Sequence, residues 1–113
     1  MFKEFGQLAG LMRNLPKIKE EAEKFHSKLG ELQAEGSAGG DMVTVMVNGR
    51  MEVLKVRLTD AAYGLQDREM LEDLIAAATN QALSKVRELV NAEAQNMAGN
   101  LGLPPGMGLP GLA

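Results

Sequence analysis

An apolar repeat at the start of the chain constrains the fold more than any other feature. Between Phe2 and Leu32 the apolar residues are separated alternately by three and four positions, at Leu8, Leu11, Leu15, Ile18, Ala22, Phe25, Leu29 and Leu32. This heptad pattern predicts one long amphipathic helix. Roughly thirty residues at a rise of about 1.5 Å give a helix about 45 Å long. A seam of that length needs a partner helix, from the same chain or from a second copy.

Pro16 falls inside this predicted helix. Proline lacks a backbone N–H, and its ring clashes with the carbonyl group four residues earlier. Two outcomes are expected from the sequence. Pro16 either marks the start of the helix, with Asn14 or Leu15 as its cap, or kinks a continuous helix.

A glycine-rich segment follows the helix. Gly36, Gly39 and Gly40 lie within residues 34–41 and must break the helical pattern. Residues 32–36 still have the option of forming a short edge strand.

A β-hairpin is predicted next. Residues 42–47 have strong β character, and the segment alternates so that one face holds Val43, Val45 and Val47. Asn48-Gly49 favours a two-residue type I′ turn, because both positions tolerate positive φ. Residues 50–58 return as the second strand, with one apolar face made of Leu54, Val56 and Leu58. Such a turn pairs Val43 with Leu54 and brings the two apolar faces together.

A second long helix is predicted from about Arg68 to Met97, with Asp67 as its N-cap. Its expected buried face consists of Met70, Leu71, Leu74, Ile75, Ala78, Ala82, Val86 and Leu89. The chain is therefore expected to be an α+β protein with a long N-terminal helix, a small antiparallel sheet of two or three strands, and a long C-terminal helix. Residues 1–98 are expected to form a single domain, and residues 99–113 a flexible tail rich in glycine and proline.

Composition narrows the class of protein. The 113 residues suit one domain with a modest core, and the absence of cysteine excludes disulfides and thiolate metal sites. We expect a cytoplasmic protein without membrane association, since no apolar run is long enough to span a bilayer. The net charge of −3 weighs against nucleic acid as a partner, although a local basic stripe can bind phosphate on an acidic protein.

The sequence offers little for catalysis. His26 is the only histidine, and neither Ser27 nor Ser84 lies at a strand-to-helix elbow. Residues 106–111 match G-x-G-x-x-G but follow no strand and open no helix, so they are not expected to bind a dinucleotide. We expect no enzyme activity, no cofactor, no metal and no small-molecule substrate.

The first helix carries a basic stripe opposite its apolar seam. Its four members fall within about 60° of one another around the helix: Arg13, Lys17, Lys24 and Lys28. Such a stripe is able to follow a phosphate backbone. The alternative is a solvated face, because the same side of the helix also carries Glu20, Glu21 and Glu31.

Several segments resemble the YbaB/EbfC family of bacterial nucleoid-associated proteins. They are the opening Met1-Phe2-Lys3 with the Gly/Leu/Met-rich residues 8–12, the hairpin of residues 43–49 and 54–58, the helical sequence EMLEDLIAAATNQA of residues 69–82, and the ending of residues 103–107. The helical sequence is the most specific of them. The resemblance covers nearly the whole chain.

The resemblance implies an α-β-β-β-α protomer and a tweezer-like homodimer. It also implies a cytoplasmic, nucleoid-associated protein that binds double-stranded DNA mainly through phosphates, with little sequence specificity. Pro16 and the acidic residues of the first helix depart from the family pattern. From charge and placement, the expected DNA-binding residues are Arg13, Lys17, Lys24, Lys28, Lys85 and Arg87.

A protein-interaction module is the alternative function. Two long helices joined by a β-hairpin also resemble a small prefoldin-like chaperone or assembly adaptor. Methionines offer adaptable apolar contacts to partners, and the candidates are Met42, Met46, Met51, Met97 and Met107.

Overall fold

The structure is a computed structural model that describes residues 2–102, except for the side chains of residues 2–8 and 11. Its elements in chain order are α1 (Phe2–Glu31), β1 (Gln33–Ala38), β2 (Val43–Asn48), β3 (Val53–Leu58), α2 (Asp60–Tyr63) and α3 (Arg68–Asn100). The predicted α+β class is confirmed. Helix α3 runs two residues into the predicted tail, of which residues 103–113 lie outside the described part of the chain.

The three strands form one antiparallel sheet in the order β1-β2-β3. The edge strand considered after the first helix is confirmed as β1, which pairs Ala38 with Val43 and Gln33 with Asn48. On the other side of β2, Val43 pairs with Leu58 and Val45 with Val56. Because paired residues point to the same face, the apolar faces of β2 and β3 lie side by side as predicted.

The turn between β2 and β3 is longer than the two-residue turn predicted at Asn48-Gly49. Asn48 is still part of β2, and its side-chain Oδ1 accepts hydrogen bonds from the backbone N–H groups of Arg50 (2.9 Å) and Glu52 (3.1 Å). Met51 takes a left-handed backbone conformation with φ of 62°. Val43 therefore pairs with Leu58 and not with Leu54. The predicted register was wrong by four residues, an even shift that keeps Val56 and Leu58 on the predicted face. A β-bulge between Met46 and Val47 pairs Val47 with Val53, so Val53 rather than Leu54 continues this face.

Helix α3 packs across β1 and β2 to form the main core. The fully buried residues come from β2, α2 and α3, and they are Val43, Val45, Val47, Ala62, Ala78, Ala82 and Val86. Gly36 of β1 lies directly against the backbone of α3, where a Cβ atom would overlap Ala78 O and Ala82 N. Small residues at this crossing let strand and helix approach closely.

The buried face of α3 differs in part from the predicted one. Its buried side chains follow a row spaced mainly by four residues, made of Ala78, Ala82, Val86, Val90, Ala94, Met97 and Ala98. Met70 and Leu89, both predicted to be buried, are 46% and 42% exposed. The sheet ends before Leu89, and α1 contacts α3 along the row of Val90. The predicted N-cap is confirmed, since Asp67 Oδ1 accepts a hydrogen bond from Met70 N at 3.0 Å.

Helix α1 is continuous from Phe2 to Glu31 with Pro16 inside it, so the alternative in which Pro16 starts the helix is wrong. Its last third packs on α3, where Phe25 forms a second buried cluster with Val90, Ala94 and Met97. Glu21 faces Asn100 across a groove, whereas Gly36 contacts the middle of α3. The two helices therefore run antiparallel.

The earlier part of α1 projects beyond the end of α3. Leu15, a member of the predicted seam, is 50% exposed in the protomer. The molecule is accordingly elongated, with extents of 71 × 21 × 17 Å. We call this projecting part of α1, up to about Lys19, the arm.

Candidate nucleic-acid interface

All six predicted DNA-binding side chains are exposed to solvent. They form three groups by position. Arg13 and Lys17 lie on the projecting arm. Lys24 and Lys28 lie beside the contact between α1 and α3. The third group, Lys85 and Arg87, lies in the middle of α3.

The arm has a stretch that carries positive charge and no acidic residue. Residues 5–19 contain three basic residues and no aspartate or glutamate. Arg13 and Lys17 are one turn apart and about 40° from each other around the helix axis, so they share a face. Among the side chains that the structure describes, neither lies within ion-pairing distance of a carboxylate. Lys19, the third basic residue, points to the other side of the helix.

Lys24 has a different environment. Its Nζ lies 3.4 Å from Glu20 Oε1 and 3.6 Å from Glu21 Oε1. The hydrogen bond with Glu20, together with the charges of Glu20 and Glu21, raises the pKa of Lys24 above its usual 10.5. The ammonium group therefore stays charged at neutral pH, but two carboxylates surround it.

The side chains of Glu20 and Glu21 differ in exposure. The Glu20 side chain is 65% exposed, whereas the Glu21 side chain is only 16% exposed. Glu21 lines a groove between α1 and α3 that also includes Lys24, Phe25, Lys28, Glu93, Met97 and Asn100. This groove mixes acidic, basic and apolar groups and is open to solvent.

Lys85 and Arg87 flank the buried Val86 on α3. From Arg87 to Asn100 is thirteen residues of helix, and Arg13 lies eight residues beyond Glu21 on the antiparallel α1. At about 1.5 Å per residue, Arg87 and Arg13 are roughly 30 Å apart along the long axis. One protomer therefore does not bring the α3 pair and the arm into a single patch.

Three basic residues in and beside the sheet were also absent from the predicted set. Arg50 Nη2 donates a hydrogen bond to His26 O at 3.3 Å, which holds the guanidinium group against the end of α1. Lys55 pairs with Met46 and Arg57 with Thr44, so both lie on the sheet face opposite α3. The alternation of Lys55 and Arg57 around Val56 is a sequence signal for that face.

The edge strand β3 leaves apolar side chains uncovered. All six of its residues are exposed, and the apolar ones are Val53, Leu54, Val56 and Leu58. Tyr63 in α2, which follows β3, is 86% exposed. Unpaired edge strands template pairing with another chain, and apolar patches of this kind mark protein contacts.

Membrane-spanning helices must be long and apolar, and metal sites require clusters of ligating side chains. Within residues 2–102, none of the helices combines the length and apolar character that a bilayer crossing requires. The same part of the chain holds no group of three or more His, Cys, Asp or Glu side chains placed to bind a metal ion.

Known proteins similar to this chain agree on one family. Residues 4–101 match the YbaB/EbfC DNA-binding family. A nucleoid-associated protein of Bacillus cytotoxicus is 41% identical over 102 residues, covering 90% of this chain and 94% of the relative. A nucleoid-associated protein of Bacillus thuringiensis is 40% identical with the same coverage.

A solved structure gives the same result for the fold. The crystal structure of an uncharacterized protein from Helicobacter pylori is similar with a TM-score of 0.59 and 28% identity. The similarity covers 86% of this chain and 95% of that one. With the match over residues 4–101, the chain belongs to the YbaB/EbfC DNA-binding family.

Proposed function

We propose that this protein binds double-stranded DNA as a homodimer, mainly through phosphate contacts and with little sequence specificity. Its place is the cytoplasm, on the bacterial nucleoid, where it helps to organise the chromosome or to regulate gene expression. The relatives named as nucleoid-associated proteins support this role. The observation that carries it is the arm of α1, which presents Arg13 and Lys17 on one helix face, outside ion-pairing distance of any described carboxylate. The role requires neither catalysis nor a cofactor.

Phosphate contact fits the chemistry of the arm. Arg13 and Lys17 are exposed cations on one helix face, and each is able to neutralise a phosphate and release a counterion. Phe25 is buried, so it is not available to stack on bases. Contacts of this kind position a protein on DNA without reading its sequence.

The proposed contacts follow from this charge pattern. Arg13 and Lys17 are the main pair, and further contacts are proposed at Lys28, Lys85 and Arg87. Lys24 lies in the same stripe, but its ammonium group is already ion-paired.

A second copy would complete the molecule. The exposed edge of β3 offers unpaired backbone groups and apolar side chains to an identical strand. The exposed seam around Leu15 offers a further apolar surface. A dimer would carry two arms, which supports binding across a duplex.

The test of the site is a charge-removing double variant. In Arg13→Gln/Lys17→Gln, two phosphate contacts are lost from each arm of the dimer, and the slope of log affinity against log salt should fall by about four. Fluorescence anisotropy with a labelled duplex measures this slope. The matched control is Lys19→Gln/Arg68→Gln, which removes the same charge away from the Arg13/Lys17 face and from β3, and should leave the slope unchanged. Equal slopes for wild type and the arm variant would rule out this site.

The alternative function is a prefoldin-like chaperone or assembly adaptor. Its support is the uncovered apolar surface of β3 and Tyr63. The methionines offer fewer exposed apolar contacts than predicted, because Met97 is buried and Met42 packs against the core. A chaperone role predicts suppression of client aggregation that does not depend on salt, and Val56→Asp should abolish it.

A further inference from the structure

Lys24 lies on the same helix face as Arg13 and Lys17, but it differs from them in having ion-pair partners. All three lie on one face of α1, within about 40° of each other. Only Lys24 has carboxylates at 3.4 and 3.6 Å from its Nζ. The charge of α1 also changes at this point, because residues 20–31 contain four glutamates and two lysines after the acid-free residues 5–19.

We propose that Glu21 keeps Lys24 out of the DNA-contact surface, so that the basic stripe of α1 is interrupted after Lys17. This inference rests on the proposed function. It identifies Glu21 as a residue that determines where DNA makes contact.

The different exposure of Glu20 and Glu21 is the main support for this proposal. Glu20 is largely in solvent, so an approaching phosphate is able to displace it by rotation of its side chain. Glu21 is mostly covered in the groove beside Phe25 and Met97, and this packing restricts its movement. A phosphate at Lys24 would therefore meet a fixed negative charge within about one ion-pair distance. Like charges at such separations repel.

The experiment is a double-mutant cycle of Glu21→Gln and Lys24→Gln. Affinity for a labelled duplex is measured by fluorescence anisotropy between 50 and 200 mM salt. In the wild-type background, Lys24→Gln should leave the salt slope unchanged. In the Glu21→Gln background, Lys24 becomes a phosphate contact. There Lys24→Gln removes one contact from each arm of the dimer and should lower the slope by about two, which is about 12-fold less loss of affinity over this salt range.

Glu23→Gln is the matched control. It removes the same charge from the same helix, and Glu23 takes part in neither ion pair of Lys24. It should raise affinity through the general charge of the arm, but Lys24→Gln should stay without effect on the slope in this background. Unchanged circular dichroism in all variants would show that the helix is retained.

Each outcome decides between defined possibilities. A slope lowered by about two on Lys24→Gln in the wild type would show that Lys24 already contacts phosphate, which would overturn the inference but not the proposed function. No effect of Lys24→Gln in the Glu21→Gln background would show that Glu21 is not what excludes Lys24. Absence of binding by wild type and all variants at 50 mM salt would instead reject the proposed function, and the inference with it.

Discussion

At the scale of single residues, two glycines act through close approach to other elements. Gly36 lies against the backbone of α3, and Gly49 donates its N–H to Leu29 O at 2.9 Å. A Cβ at Gly49 would lie 2.6 Å from Leu29 O. Gly49 thus anchors the hairpin to the end of α1. The sequence pointed to Gly49 as a turn residue and gave no indication of this contact, because Leu29 and Gly49 meet only in the folded chain.

Gly36→Ala is expected to destabilise the protein. The added methyl group would overlap Ala78 O and Ala82 N, so α3 must move away from β1. Overpacking of this kind costs about 1–3 kcal/mol. Urea unfolding followed by circular dichroism measures the change. Gly10→Ala is the control, since a Cβ at Gly10 has no neighbour within 4 Å and alanine favours the helix. Equal unfolding midpoints for Gly36→Ala and wild type would contradict the close packing.

Among the helices and strands, the features predicted correctly were those that depend on residue periodicity and on local hydrogen bonds. The seam predicted α1, and Asp67 correctly marked the start of α3. The register of the hairpin was wrong because the Asn48 side chain bonds to the turn backbone. The buried row of α3 was wrong at Leu89 because the path of α1 decides which residues are covered. Both errors concern contacts between elements, which periodicity does not specify.

The same distinction applies to the candidate site. The exposure of the four cations on α1 followed from their place opposite the apolar seam of that helix. The pairing of Glu21 with Lys24 was not predictable, because Lys17 is an equally suitable partner in sequence, four residues before Glu21. In the folded chain Glu21 lines the groove formed with α3, and its carboxylate lies 3.6 Å from Lys24 Nζ.

Pro16→Ala is expected to strengthen the arm without changing the core. Proline in a helix interior costs about 3 kcal/mol relative to alanine, because one hydrogen bond is lost and the ring clashes. The arm is not packed on α3, so the gain should appear locally. Hydrogen exchange should slow in residues 12–20, while exchange in residues 78–90 should stay as in wild type. Faster or unchanged exchange in the arm would contradict a continuous helix through Pro16.

At the scale of the whole molecule, the protomer is elongated and leaves one sheet edge open. The core joins β1 and β2 to α3, whereas β3 is exposed along its full length. The first part of helix α1 projects beyond the C-terminal end of α3. Such a protomer suits assembly through its sheet and contact with a ligand through its arm.

Val56→Asp/Leu58→Asp is expected to convert a dimer into a monomer. Both side chains belong to the exposed strand, so charges there should prevent pairing with a second copy while the protomer stays folded. Sedimentation velocity measures the mass. Leu89→Asp places a charge at a similarly exposed apolar residue on α3 and should remain dimeric. A dimeric Val56→Asp/Leu58→Asp variant would place the interface elsewhere.

We propose above all that this acidic protein binds duplex DNA through phosphates. The most direct measurement is an anisotropy titration of the wild-type protein against two labelled duplexes of unrelated sequence at several salt concentrations. We expect similar affinities for the two duplexes and a steep, parallel loss of affinity as salt rises. No binding at low salt, or an affinity that does not depend on salt, would contradict the account.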